Sequence, residues 1–432
     1  MILCVMRYFS TRGKSEAVSF KIAALAGLAP DGGLYVPEEI PQYSTSVKSS
    51  LGSMSYNDIA LETISPWVAP DISKSVLQDL INSAYPFSPE LVSVDDRLVL
   101  ELFHGPTAAF KDYGARFMAR AFSYLRRGED RPLTILVATS GDTGGAVADG
   151  FYGVKGISVT ILYPKGRVSP LQEKQIAGLG GNITALAVEG SFDDCQLLVK
   201  QAFADEDLSK RLVLSSANSI NISRLIPQIT YYAYAAGRAL NTVISVPSGN
   251  FGNLTAGLYA VKMGAPIGQF VAATNVNKTV PDYLESGIYK ARPSIATLSN
   301  AMDVGAPSNF ERIKTHFSLE EMRRLILGAA VSDTETKETI SYIYSRCGYC
   351  LDPHSAVSWR ALDMCSLQGS LLQKNAPAIV VSTAHPAKFT ETVEAITGPV
   401  AVPPALLHIL ERNVENINIL AKLEALKESL LD

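Results

Sequence analysis

No stretch of this sequence approaches the roughly 20 apolar residues that a membrane-spanning helix needs. The apolar start Met1-Ile-Leu-Cys-Val-Met6 is cut off by Arg7 and is too short for a signal-peptide core, and Met6 serves equally well as a starting residue. Cysteine is scarce. Five (Cys4, Cys195, Cys347, Cys350, Cys365) over 432 residues is an odd number thinly spread, which excludes a disulfide framework and suits a reducing compartment, the cytoplasm. Cys347-Gly-Tyr-Cys350 has C-x-x-C spacing, but no second pair or histidine cluster accompanies it, so these read as helix-end and core cysteines. His104, His354 and His385 have no ligand spacing, and no metal is expected. An excess of one charge is also missing: 38 basic against 42 acidic residues gives a net charge of -4, with no electrostatic footprint for nucleic acid or an anionic membrane. The expected partners are small molecules, and the expected assembly is a monomer or homodimer.

What is present is apolar mass. With 47% hydrophobic and 19% charged residues, disorder is excluded as the main state and two or three domains can be filled. Residues 1–90 mix short apolar patches with turn signals such as Ala29-Pro-Asp-Gly-Gly33 and prolines at 37, 41, 66, 70 and 86, which predicts a small, mostly helical domain. In residues 91–432, continuous apolar runs alternate with helical spacing. Strands are predicted at 98–103, 132–138, 157–163, 183–188, 212–216, 243–246, 269–273 and 378–382. Helical spacing marks Phe110, Phe117, Met118, Ala121 and Leu125, and later Leu225 through Leu240. Such strands separated by helices mean parallel sheets covered on both faces. The fold class is α/β with two sheet domains, the smaller at roughly 115–240.

Open α/β sheets bind ligands beyond the C-terminal ends of their strands. Four loops there have unusual composition. Thr139-Ser140-Gly141-Asp142-Thr143-Gly144-Gly145 opens a helix and can cradle an anion such as a carboxylate on unpaired N–H groups, or be an ordinary capped helix start. Pro247-Ser248-Gly249-Asn250-Phe251-Gly252-Asn253 allows close backbone approach and suits a phosphate, though it is neither a Walker loop nor G-x-G-x-x-G. Ser215 to Arg224 offers hydroxyls, amides and a guanidinium fork for a second phosphate or carboxylate, or holds a surface ion pair. Ser382-Thr383-Ala384-His385-Pro386 places a hydroxyl at a strand end, facing a heterocyclic nitrogen or capping a turn. Asp193-Asp194 and Asp352-Pro353-His354 read as helix starts, and Tyr231-Tyr232-Ala233-Tyr234 as core.

Lys111, a lone cation after the nearly uncharged run His104-Gly-Pro-Thr-Ala-Ala-Phe110, stands where a helix begins. An apolar setting favours the neutral amine, which is a nucleophile and a proton carrier; the alternative is a lysine whose stem lies on apolar surface and whose ammonium is in water.

An isolated lysine, a hydroxyl-glycine loop, a glycine-asparagine loop and a late Ser/Thr, in that order, resemble the fold-type II pyridoxal-phosphate enzymes. The run from His104 to Asp112, Ser140-Gly-Asp-Thr-Gly144, Pro247 to Asn253, Asp352-Pro-His, and the early Ser10-Thr-Arg-Gly13 and Gly32-Gly-Leu-Tyr-Val-Pro37 are together similar to threonine synthases of the longer bacterial and fungal branch, over essentially the whole chain. The resemblance implies two parallel-sheet domains with the cofactor in the cleft between them. It implies a carbon–oxygen lyase that takes O-phospho-L-homoserine and water to L-threonine and phosphate by γ-elimination and β-addition of water, the last step of threonine biosynthesis. It further implies that Lys111 carries pyridoxal phosphate as a Schiff base and moves protons. Gly249, Asn250, Phe251, Gly252 and Asn253 would bind the cofactor phosphate, and Thr383 or Ser382 would face the pyridine nitrogen. Thr139, Ser140, Gly141 and Thr143 would hold the substrate carboxylate, with Asp142 in the same substrate loop. Asn218, Ser219 and Arg224 are expected at the substrate phosphate. Asp142 departs from the pattern, because many fold-type II enzymes carry Asn there and an ionised carboxylate would repel the cofactor's phenolic oxygen; it turns away, caps the helix or is protonated. Two other readings stay open: another fold-type II lyase, such as a serine/threonine dehydratase or a phospholyase, and a non-catalytic metabolite-binding α/β protein.

Overall fold

The computed structural model describes residues 6–367, 369 and 376–431, so Cys4 lies outside the described residues. The first segment pairs Tyr8–Ser10 antiparallel with Tyr35–Pro37 and carries helices Phe20–Ala26, Thr45–Ser50, Tyr56–Val68 and Lys74–Ala84. Helix Tyr56–Val68 starts where the Ser55 hydroxyl accepts from the Asp58 N–H, and it buries Tyr56, Ile59, Ala60, Thr63, Ile64 and Trp67 on one face. That face docks onto the rest of the chain. Trp67 stacks on Tyr259 with ring centroids 5.7 Å apart, and Tyr56 meets Tyr113 edge-on at 5.6 Å. Burying a side chain of this size contributes about 1.5–3 kcal/mol, so the segment shares one continuous core with the sheets.

Two sheets follow. Six strands lie in the order Ile326–Ala330, Ile267–Thr274, Thr242–Pro247, Ala378–Ser382, Arg97–Glu101, Glu90–Val94, and five in the order Ile417–Leu420, Ile183–Glu189, Ile157–Pro164, Leu133–Ala138, Val213–Ser216. All neighbours are parallel except the pair Glu90–Val94 and Arg97–Glu101. Leu133–Ala138 is buried along its whole length, as expected of a strand covered on both faces. Strands formed at all eight predicted places, within one or two residues at the ends. Those left out are the two three-residue ribbon strands Tyr8–Ser10 and Tyr35–Pro37 and three edge strands: Glu90–Val94 is mostly half-buried or exposed, Ile417–Leu420 is largely exposed, and Ile326–Ala330 directly follows helix Leu319–Leu325 and contains Gly328. The helical run predicted from Leu225 begins instead as a 3-10 turn at Ile226–Gln228, because Pro227 has no N–H to give the helix.

The order in which strands are added to the five-stranded sheet reverses between Leu133–Ala138 and Val213–Ser216, a crevice where ligands bind in such folds. The loops leaving those two strands meet the loops leaving Arg97–Glu101, Thr242–Pro247 and Ala378–Ser382 of the other sheet around one cleft. No helix among the described residues is long and apolar enough to cross a membrane, and Cys195, Cys347, Cys350 and Cys365 are free thiols.

Candidate active site

Lys111 is the first residue of helix Lys111–Leu125 and lines the cleft. The turn before it is held locally: Asp112 accepts from the Thr107 N–H at 2.9 Å and from its hydroxyl at 2.6 Å, and Ala108 has a left-handed backbone. It is also held by the loop leaving the neighbouring strand of the same sheet, since the Phe110 N–H donates to the Thr383 carbonyl at 2.8 Å. The lysine is therefore placed by the same loop that carries the late hydroxyl. Burial draws its amine down to about 8; Asp142 opposes that shift, while Arg224 and Lys388 add to it.

The loop after Thr242–Pro247 turns sharply into helix Gly252–Met263 through Phe251, whose φ is +59°. A side chain at position 249 would meet the Ala301 carbonyl at 2.6 Å, so only glycine fits. The Asn253 carboxamide is fixed by two phenols: Tyr231 and Tyr232 both donate to its Oδ1, at 2.6 and 2.7 Å. Burial raises both phenols far above their ordinary range, so they remain donors. The amide nitrogen of Asn253 is left at the helix start with no partner among the described residues, and in the same cleft Arg224 Nε and Asn300 Oδ1 are also buried and unpartnered. Unsatisfied buried donors are costly, and a glycine loop with free helix N–H groups is a phosphate cradle. Together with a buried lysine whose amine is readily deprotonated at the cleft wall, they fit pyridoxal phosphate.

Not every expected side chain is free for a ligand. Asn250 braces the loop, giving its NH2 to the Ser219 hydroxyl at 2.7 Å and taking the Ser308 N–H at 2.6 Å. Asn218 lines the cleft, but its amide is paired with the backbone of Ala138, which fastens two strand ends together. Thr139 closes its own loop by accepting from Gly141 and Gly144, and Gly141, at φ +138°, lies under Gln172, outside the cleft wall. Thr139, Ser140 and Thr143 do line the cleft, as do Ser219 and Arg224. Arg224 is 2% exposed, gives one nitrogen to the Ala217 carbonyl, and burial pushes it down to about 10. Of the late hydroxyls, Thr383 reaches the cleft; Ser382 faces away to the Ser355 hydroxyl at 2.8 Å, because side chains alternate along a strand.

Asp142 follows none of the three expectations for it alone. It opens helix Asp142–Phe151 and lines the cleft, and its Oδ1 lies 2.8 Å from Lys388 Nζ and accepts from Gln172 Nε2 at 2.9 Å. Burial would raise its pKa, but Lys388 and then Lys111 reverse this and hold it far below the usual carboxylate range, so it is ionised. Sequence reasoning missed Lys388 and also His354, which lines the cleft with Nδ1 2.7 Å from Asp352 and Nε2 accepting from the Ala301 N–H at 3.3 Å. The Asp352-Pro-His run does start a helix, Pro353–Leu367; the pairing of its acid and imidazole was the signal overlooked.

Comparison with known proteins agrees along the chain. Residues 7–85 match the family model "Threonine synthase N terminus", 90–383 "Pyridoxal-phosphate dependent enzyme" and 355–429 "Threonine synthase, C-terminal". The threonine synthase of Escherichia coli K12 is 42% identical over 434 residues, covering 99% of this chain and 100% of that one; the Saccharomyces cerevisiae enzyme is 37% identical over 460 residues, covering 90% and 89%. A crystal structure of PLP-bound threonine synthase from Brucella melitensis superposes with a TM-score of 0.89 at 37% identity over 98% of both chains. Threonine deaminase from Solanum lycopersicum, at 14% identity and TM-score 0.57 over 85% of this chain and 97% of that one, shares the fold alone.

Proposed function

The chain belongs to the threonine synthase family of pyridoxal-phosphate-dependent enzymes, and on that premise we propose how the residues of its cleft divide the work of turning O-phospho-L-homoserine and water into L-threonine and phosphate. Bound pyridoxal phosphate supplies the electron sink that makes protons next to an amino-acid nitrogen acidic. The backbone N–H groups from Gly249 to Asn253 and the Asn253 amide hold its phosphate, and Thr383 faces its ring nitrogen. A hydroxyl partner there leaves that nitrogen less protonated than a carboxylate would.

Lys111 is the base. Its neutral amine takes the Cα proton and, once that proton has been passed on, one from Cβ; phosphate leaves Cγ, water adds to Cβ as hydroxyl while its remaining proton leaves with the phosphate, and the two carbon-bound protons are returned to Cγ and Cα. Ser140, Thr143 and the N–H groups at the start of helix Asp142–Phe151 bind the substrate carboxylate, while Arg224 and Ser219 take its phosphate. Holding three anionic groups at fixed points decides which bonds lie within reach of Lys111. The division is residues 1–90 for the N-terminal domain and 91–432 for the catalytic region, with a smaller α/β subdomain at roughly 115–240. We place the enzyme in the cytoplasm as a monomer or homodimer, without nucleic-acid partners.

The observation that carries this reading is the buried amine of Lys111, drawn down to about 8 beside an unpartnered phosphate cradle. The test is release of phosphate by the purified holoenzyme. Threonine should form from O-phospho-L-homoserine, and phosphate release from O-phosphothreonine should be far slower; equal rates, or phosphate without threonine, would sink the reading.

A further inference from the structure

Two cations, Arg224 and Lys388, act on Lys111, and Asp142 is the carboxylate that acts on it. Lys388 belongs to the turn Pro386–Lys388 that follows a strand of the six-stranded sheet, whereas Asp142 starts a helix of the five-stranded sheet. The Lys388 side chain is fully buried, with Nζ 2.8 Å from Asp142 Oδ1 and 2.8 Å from the Thr107 carbonyl. A buried ion pair adds little stability over well-packed apolar residues of the same size. Stability alone does not explain why an ammonium is taken out of water here.

We propose that Lys388 is a positioning residue for the reaction: by engaging Asp142 it withholds that carboxylate from Lys111, so that the Lys111 amine gives up its proton more readily. The proposal rests on Lys111 being the base, as assigned above. Remove the Lys388 charge and the cation left acting on Asp142 is Lys111 itself, which would hold its proton more tightly as the partner of a buried anion. Lys200 and Asp303 also line the cleft, but besides Asp142 and Lys388 the charged group that acts on Lys111 is Arg224. Arg224 faces Lys111 and disfavours its protonated form; Asp112 is held by Thr107; His385, beside Lys388, is pushed by burial down to about 4 and is neutral. Gln172 supports the same Asp142 oxygen that Lys388 binds, which fixes the carboxylate in this pairing.

The proposal is tested on the full-length protein stripped of cofactor, with trace acetic anhydride as the amine probe and acetylation at Lys111 read by peptide mass spectrometry from pH 6 to 10. The wild type should show a midpoint near about 8. Lys388→Met should raise it by a unit or more, which is about fivefold less labelling at pH 8 and close to tenfold less at pH 6. Lys388→Arg, which keeps the charge, should match the wild type, and the double variant Asp142→Asn/Lys388→Met should return toward it. Where the Met variant fails to fold, Lys388→Gln, which keeps a donor toward Thr107, takes its place with the same expected shift. A folded Lys388→Met or Lys388→Gln protein labelled like the wild type overturns the proposal, as does a double variant that keeps the full upward shift. The readout needs neither cofactor nor substrate. A failed phosphohomoserine assay therefore leaves this result interpretable, and an unchanged midpoint leaves the assay so.

Discussion

Arg312 donates from Nε to the carbonyl of Tyr35 at 3.0 Å, across 277 positions of sequence. Its other nitrogens reach Asn309 Oδ1 at 2.6 Å and the carbonyls of Ser219 and Ile220. One buried cation thus ties the N-terminal ribbon to the loop expected at the substrate phosphate. Arg312→Leu should cost roughly 2–4 kcal/mol in urea unfolding, because several carbonyls lose a buried donor together. A loss under about 0.5 kcal/mol would show the tie to be idle.

Lys111→Ala should lower threonine formation by about a thousandfold or more, the size expected when a proton-transfer group is deleted. Its circular dichroism should match the wild type, since the helix keeps its Asp112 turn.

Gly249→Ala should weaken cofactor retention about tenfold and cost about 1–3 kcal/mol, because the added methyl would lie 2.6 Å from the Ala301 carbonyl and 2.8 Å from Met302 Cα. Gly153→Ala is the control. Its space is open although φ is +72°, so it should cost about 1 kcal/mol and leave cofactor binding unchanged. Retention after gel filtration separates the two.

Tyr231→Phe and Tyr232→Phe each remove one of two donors to the same oxygen of Asn253. Either alone should change cofactor affinity little, because the remaining phenol still fixes the amide. The double variant should lose more than the sum, with a coupling above about 0.5 kcal/mol in a double-mutant cycle.

Burial raises Asp112 from 3.8 to about 6, with the Thr107 bonds only partly opposing it. Between those values the folded protein holds a proton that the unfolded chain has released. Stability from this group is therefore complete below about pH 4 and falls as pH rises toward about 6. Asp112→Asn should lack that part of the slope in chemical denaturation run from pH 4 to 7; an unchanged slope would assign it elsewhere.

Strand positions were legible because covered parallel strands are continuous apolar runs, as Leu133–Ala138 shows. The loops were legible because glycine, hydroxyl and amide residues cluster after those runs. What each loop residue does was less so. Asn218 and Asn250 have the chemistry of ligand contacts, yet their amides are taken up by Ala138 and by Ser219 and Ser308, partners 31 to 80 positions away. Ser382 and Thr383 are neighbours with the same hydroxyl, and only the alternation of the strand decides which one enters the cleft. Lys388 gave no signal, because a lone lysine in Pro386-Ala-Lys388 looks solvated until a carboxylate 246 positions earlier is placed beside it.

Thr383 and Lys388 occupy one short turn, and that turn is stitched to the approach of Lys111 by Phe110 N–H to Thr383 and His385 N–H to Ala108. Hydroxyl, ammonium and reactive amine therefore travel as a cassette. A protein engineer who grafts this turn from a distant relative to retune the ring nitrogen would replace the partner of Asp142 in the same stroke, so residue 142 has to be exchanged along with it.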